Sequence, residues 1–267
     1  MDDGNAGSTK VLAVCGKGGV GKTSISALII QLLLNERAGK ILAIDADPAT
    51  GLATALGIQP RKTVNDIRND LIGRVESGAG GDRRGMIEHL DYEVMTALEE
   101  RGNLAFLAIG RPEKEGCYCQ VNDFLKEIIE SAARNFSYVV IDGEAGIEQV
   151  NRRVMERVTH LILVSDASAR GINVAHTIRS VADSAVLYNT VGIILNRIKD
   201  RTEIEAVRMP DDIPFLGWVP ESDAIRTCDI SGGSILDLKD DSALIAVKSC
   251  IERLDENAHR DPAYTGL

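Results

Sequence analysis

The chain has 267 residues, enough for one large domain or two small ones. Hydrophobic residues make up 44% and charged residues 26%, values that suit a globular protein with a buried core, and the formal net charge of −10 disfavours wholesale binding to phosphate backbones or anionic lipid. Five cysteines, an odd number, do not form a disulfide framework, and the longest apolar stretch, Ile25 to Leu34, falls short of the ~18 residues of a membrane span.

Residues 1–9 read as a flexible leader; MDDGNAGSTK lacks the apolar segment of a signal peptide, and the expected setting is a reducing cytoplasm. Lys10 to Cys15, KVLAVC, predicts a buried strand. GKGGVGK follows. Thr23 to Ala38 then carries apolar residues at 25, 28, 29, 32 and 33, which is helical spacing, with Gly39 as the expected stop. Lys40 to Asp45, KILAID, is the next strand. Residues 61–103 carry no assignable motif, and SGAGGDRRG (77–85) reads as a surface loop. Further strands are expected at 104–109, 138–142, 160–165, 191–196 and 214–219, with helices between them, as at 121–135 and 168–182. Short, wholly apolar strands separated by amphipathic helices predict an α/β fold: one domain over residues 10–257, with a mostly parallel twisted sheet flanked by helices on both faces. Residues 258–267 are expected to fray.

Gly16 to Thr23, GKGGVGKT, fits the phosphate-loop pattern G-x-x-x-x-G-K-[ST], and it follows a strand and opens a helix, as the mechanism requires. Glycines let backbone N–H groups turn toward phosphate oxygens without a Cβ in the way. The expected nucleotide contacts are Gly16, Lys17, Gly18, Gly19, Val20, Gly21, Lys22, Thr23 and Ser24. Lys22 can reach the β- and γ-phosphates of ATP, and the Thr23 hydroxyl can ligate Mg2+. With its second lysine, Lys17, the loop resembles the deviant Walker A loop of the MinD/ParA/nitrogenase-iron-protein class of P-loop ATPases, the SIMIBI type. That resemblance implies a homodimer in which Lys17 reaches the partner's nucleotide; the alternative is a solvated surface lysine.

Two acidic strand ends complete the site around this loop. Asp45 ends the second strand, Asp47 lies just beyond it, and Asp142 ends YVVID. Ligands of such sheets gather at the C-terminal ends of strands. By resemblance, Asp47 orients the attacking water, Asp45 supports the site, and Asp142 is the Walker B aspartate. Thr23, Asp47 and Asp142 then serve Mg2+, and Lys17, Lys22, Asp47 and Asp142 form the catalytic set. The resemblance also makes Gly143 to Glu148 a switch segment. Asn196 and Arg197, with Pro220, Glu221 and Asp223, resemble the segments that grip adenine, although Asn196 could equally be a turn residue.

EKEGCYCQVND (113–123) places Cys117 and Cys119 one residue apart, half of a tetrahedral thiolate site. Cys15 and Cys250 fall on apolar patterns and read as core; Cys228 has no evident role, and His89 has no supporting motif. The missing half could come from a second copy of the chain across a two-fold axis. A strained Cys117–Cys119 disulfide, two inert thiols, or a cluster sharing other chains' ligands are the alternatives. Together, GRPEKEGCYCQVNDFL, GKGGVGKT and DGEAGIE resemble the CooC-type ATPases, nickel-insertion accessory proteins that mature carbon monoxide dehydrogenase. The resemblance spans about 10–255. It implies a dimer binding Ni2+ or Zn2+ at the shared cysteines, assembly coupled to nucleotide, and an apo nickel enzyme such as carbon monoxide dehydrogenase as partner.

Two other readings stand beside it. A positioning ATPase of the MinD/ParA kind needs a basic membrane helix or a basic DNA face. Here Lys248 and Arg253 are opposed by Glu252, Asp255 and Glu256 in the last helix, and neither nucleic acid nor membrane is expected as a partner. An iron–sulfur-bridged reductive activator resembling the nitrogenase iron protein takes its two cysteines from well-separated segments, whereas adjacent C-x-C thiolates suit one small ion better.

Overall fold

A computed structural model of the chain describes residues 9–77, 83–111, 119–143, 150, 154–239 and 242–260. Each apolar run predicted as a strand is one: β1 (Lys10–Gly16), β2 (Ile41–Asp45), β4 (Leu104–Ala108), β5 (Tyr138–Asp142), β6 (His160–Ser165), β7 (Thr190–Ile198) and β8 (Phe215–Pro220). They join one sheet in the order β3-β4-β2-β5-β1-β6-β7-β8, parallel throughout except for β3 (Glu99–Arg101), which pairs antiparallel with β4. The inner strands, β1, β2, β4, β5, β6 and β7, are apolar along most of their length because both faces are covered. Along β1, Ala13 and Cys15 enter one core, and Leu12 and Val14 enter the other.

The helices divide between those two cores. α1 (Lys22–Asn35) and α2 (Gly51–Ala55) pack on one face, together with the last helix, α9 (Ser242–Arg260), which buries Ala243, Val247, Cys250 and Leu254. α3 (Val64–Glu76), α4 (Arg83–Ala97), α5 (Cys119–Ala133) and α6 (Ala169–Ala185) cover the other. Two short helices, α7 (Arg201–Ala206) and α8 (Asp223–Ser231), follow β7 and β8 and bury no residue fully. No helix among the described residues is long and apolar enough to cross a membrane.

Several boundaries differ from the sequence reading. α1 ends at Asn35, three residues before Ala38, because the chain turns there through Arg37 in the left-handed region (φ 53°). Ala38 N–H donates to Leu33 O (3.0 Å) and Arg37 N–H to Leu34 O (3.1 Å), the paired closure of a Schellman motif. Gly39 serves the turn into β2 instead: its φ is 105°, and a Cβ there would stand 2.3 Å from Ser137 Oγ. Thr9, placed in the leader, donates from its hydroxyl to Phe136 O (2.9 Å), and α9 continues to Arg260, beyond the expected domain end at 257. The rest of the leader and of the tail lies outside the described residues. α4 already starts at Arg83, inside the 77–85 segment expected to be a loop.

Among the described residues of 61–103 lie two helices and a strand that the sequence pattern alone does not assign. Thr63 and Asp66 close a capping box on α3: the Thr63 hydroxyl accepts from Asp66 N–H (3.1 Å), and the Asp66 carboxylate accepts from Thr63 N–H (2.8 Å). Thr63→Ala is expected to cost about 1 kcal/mol, read as a lower urea midpoint at unchanged slope.

Candidate functional site

β1 lies at the centre of the sheet, between β5 and β6, so the loop after it leaves the middle of the C-terminal rim. Gly16 pairs with Val164, and a Cβ on it would stand 2.1 Å from Val164 O, so only glycine lets the chain leave the sheet here. Gly19 (φ 82°) and Gly21 (φ 89°) take left-handed conformations that turn the loop over the start of α1. Gly21 caps α1 without any side-chain hydrogen bond, leaving the first N–H groups of the helix free to meet an anion. Beyond the loop lies a cavity of about 470 Å³ whose walls include Gly18, Lys22, Thr23, Asp47 and Arg197.

Lys22 is buried, and its ammonium sits 3.5 Å from Lys17 O, inside the curve of the loop. Lys17 points the other way: its ammonium pairs with Asp166, just past the end of β6, at 3.4 Å. Burial raises the Asp166 carboxyl, but hydrogen bonds from Ser168 and Lys17 outweigh it and hold the group below the usual carboxylate range. Asp166, like Asp47, follows an apolar strand, a position that sequence analysis alone does not single out.

Asp45 and Asp142 end adjacent parallel strands in matching register, and both side chains are fully buried. Asp142 accepts the Thr23 hydroxyl (2.7 Å) and the Ser26 hydroxyl (3.0 Å). Burial pushes its pKa up to about 6, against the pull of the two hydroxyls and the Lys22 ammonium. Asp45 accepts from Asp47 N–H (3.2 Å), Leu52 N–H (2.9 Å) and Ala53 N–H (3.3 Å), so it caps α2 and holds the segment that carries Asp47. Burial and the neighbouring Asp142 raise it to about 7. Asp47, half-buried, accepts from Ala49 N–H (2.9 Å) and faces the phosphate cavity.

Two buried carboxylates pushed toward the neutral form, with a threonine hydroxyl between one of them and the loop, are short of positive charge. The hard oxygens beside them fit Mg2+, which Thr23, Asp47 and Asp142 would hold.

A second cavity, about 260 Å³, adjoins the first and is walled by Asn196, Pro220, Glu221, Ser222, Ile225 and Arg226. Ser24, Arg197 and Asp229 line both cavities. Asp223 does not reach either wall; it is the first residue of α8, behind the Ser222 cap that accepts Ile225 N–H (3.2 Å). Asn196 and Arg197 also bond to the phosphate loop, Asn196 Nδ2 to Val20 O (2.9 Å) and Arg197 Nη1 to Gly19 O (3.0 Å). Cys228, without a role in the sequence reading, lines the phosphate cavity. Contacts between residues so far apart leave no local pattern; only the excess of small and polar residues after β8, SDAIRTCDISGG, hints at them.

Cys15 lies buried behind the loop, and a Cβ on Gly143 would stand 2.9 Å from Val14 O and 3.0 Å from the Cys15 sulfur, so the backbone there favours glycine. Cys117 lies outside the described residues, as do Glu144 to Glu148 of the expected switch; Cys119 opens α5, but its side chain is likewise outside them. Among the described residues no group of three or more His, Cys, Asp or Glu could hold a metal ion. His89 contacts Arg74 on the surface (2.8 Å).

The profile of the CobQ/CobB/MinD/ParA nucleotide binding domain matches residues 11–235. An uncharacterized ATP-binding protein of Methanocaldococcus jannaschii is 36% identical over 228 residues, covering 83% of this chain and 88% of its own. The carbon monoxide dehydrogenase accessory protein CooC of Rhodospirillum rubrum is 26% identical over 257 residues, 91% of this chain and 97% of its own. The septum site-determining protein MinD of Pyrococcus horikoshii, solved with Mg-ADP, superposes with a TM-score of 0.64 at 20% identity, over 97% of this chain and 100% of that one, and so shares the fold.

Proposed function

The chain belongs to the CobQ/CobB/MinD/ParA nucleotide binding domain family and is a P-loop ATPase of the MinD/ParA class, and on that premise we propose that it is an ATP-driven metallochaperone. In this reading two copies form a homodimer. Each binds Mg-ATP at Gly16 to Ser24, and the pair carries one Ni2+ or Zn2+ on Cys117 and Cys119 of both subunits to an apo nickel enzyme such as carbon monoxide dehydrogenase. The observation that carries it is the C-x-C pair itself, in a chain of this family that aligns with CooC along nearly its whole length.

The geometry supports the nucleotide half of the cycle. The loop amides and the start of α1 bind the phosphates, and Lys22 neutralises the outer ones from inside the loop. Asn196, Arg197, Pro220 and Glu221 border the place for the base, and Asp223 acts at a distance, through the start of α8. Mg2+ would supply positive charge to the phosphoryl oxygens. Asp142 holds Thr23 in place for it, and Asp45 holds the segment from which Asp47 orients the attacking water. Lys17, aimed outward from its own loop, is the residue to cross to the partner's nucleotide. A metal shared by two chains and a nucleotide shared by two chains both favour the dimer, so each strengthens the other.

The test is metal content at equilibrium. One Ni2+ for every two chains is expected, lost in Cys117→Ala and in Cys119→Ala, with Mg-ATP tightening the metal. One Ni2+ per chain, undiminished in both variants, would sink the proposal. Sedimentation with ATP on liposomes or DNA gives the positioning-ATPase reading its own chance to appear.

A further inference from the structure

At the junction of the two cavities, one residue departs from every local preference. Arg197 sits at φ 61°, a conformation that glycine takes freely and side-chain-bearing residues avoid. It is also the extra residue of a bulge. Asn196 pairs with Val219 and Ile198 with Pro220, so two steps along β7 match one along β8. Bulges and left-handed residues persist beside functional sites because they re-aim a side chain. Here the guanidinium is turned away from the sheet and onto the phosphate loop, where Nη1 donates to Gly19 O at 3.0 Å. Its neighbour Asn196 donates to the next carbonyl, Val20 O, at 2.9 Å.

A loop that directs its amides at an anion must keep its carbonyls off it, since their lone pairs repel the phosphates. Outward carbonyls need donors outside the loop. Two successive residues of one strand therefore hold two successive carbonyls of the loop. The approach is close: a Cβ on Gly21 would stand 2.4 Å from Asn196 Nδ2 and 3.5 Å from Arg197 Nε, so glycine at 21 makes room for both donors.

We propose that Arg197 is a positioning residue for phosphate binding, whose bulged, left-handed backbone aims its guanidinium at Gly19 O and keeps the loop's carbonyls turned away from the phosphates. This rests on the nucleotide-binding reading of the loop and replaces a base contact as the role of Arg197. The two roles differ in what they do to a ligand without a base.

Tripolyphosphate, as an inhibitor of ATP turnover, is that probe. Arg197→Ala should weaken it on the order of tenfold or more, as loss of a charge-assisted hydrogen bond does, and raise KM for ATP by a similar factor with kcat changed less. Arg197→Lys should recover most of both. Arg197→Gly should show the same loss of phosphate affinity with a thermal midpoint at or above that of wild type, because glycine relieves the backbone; this separates lost positioning from misfolding. An Arg197→Ala variant that keeps wild-type inhibition by tripolyphosphate while losing ATP affinity would overturn the proposal in favour of a base contact. Unchanged binding of both ligands would overturn it outright. Failure of the wild-type protein to bind either ligand would instead strike the nucleotide-binding reading itself.

Discussion

Asp142→Asn is expected to lower ATP turnover by at least about a hundredfold and, at the same time, to raise the thermal midpoint of the nucleotide- and metal-free protein at pH 8 by a few degrees, roughly 1–2 kcal/mol. Both effects come from one cause. The carboxylate is buried beside Asp45, and burial raises the two groups to about 6 and about 7. Their unfolded values lie near ~3.9. The fold therefore favours their protonated forms. That contribution is fully present below about pH 4 and is lost as pH rises through about 6 and then about 7.

The free protein should accordingly lose stability between about pH 4 and pH 7, and Mg-nucleotide should restore it by supplying the missing positive charge. Asparagine keeps the shape and one acceptor for the Thr23 and Ser26 hydroxyls but removes the charge, so the pH slope should flatten. Asp166 and Asp255, held below the usual range by their partners, oppose this trend only in more acid solution. Thermal melts in EDTA across that range, with turnover measured on the same samples, give the comparison. A variant that is both less active and less stable at pH 8 would show that Asp142 is held for packing and not for charge.

Lys17→Ala is expected to reduce turnover on the order of a thousandfold, the scale of a cationic residue supplied in trans to a phosphoryl transfer, while the Kd of a single chain for Mg-ATP changes by less than about threefold. Lys22 already occupies the interior of the loop, and the Lys17 ammonium lies outside it on Asp166. That ion pair is partly exposed, with side chains 31% and 41% accessible. Pairs of this kind contribute about 1 kcal/mol or less, so releasing Lys17 to a partner costs little. Single-turnover kinetics with equilibrium binding separates the two quantities. Turnover within threefold of wild type would leave Lys17 with no task beyond its contact to Asp166.

What could be read from the sequence follows the range of the interactions involved. The strands were legible because burial on both faces makes each of them apolar without interruption, and the phosphate loop because its glycines and lysine are consecutive. β3 was not: Glu-Glu-Arg carries no apolar signal and pairs only because the turn at Gly102 (φ 61°) brings it back on β4. α3 was missed although T-V-N-D announces its capping box. Arg37 ended α1 ahead of the glycine that seemed made for it, because two backbone hydrogen bonds outweigh the strain of one left-handed arginine. Asp45 was read as support, and its three amide contacts show how that support works. Asp166, and the contact of Arg197 with Gly19, were beyond reach for another reason: each meets the phosphate loop across about 150 or more residues of chain, and sequence patterns do not carry over such separations.

The central place of β1 also orders events during synthesis. The strand that carries the phosphate loop is made before the other strands of its sheet, yet its neighbours, 138–142 and 160–164, come more than a hundred residues later. Until both have left the ribosome, the loop has no sheet to stand on, and neither Asp142 nor the donors at 196 and 197 exist to shape it. A nascent chain of 130 residues should therefore ignore ATP. Nucleotide capture becomes possible only once the strands through β7 have been made, and it then ratifies a sheet already assembled.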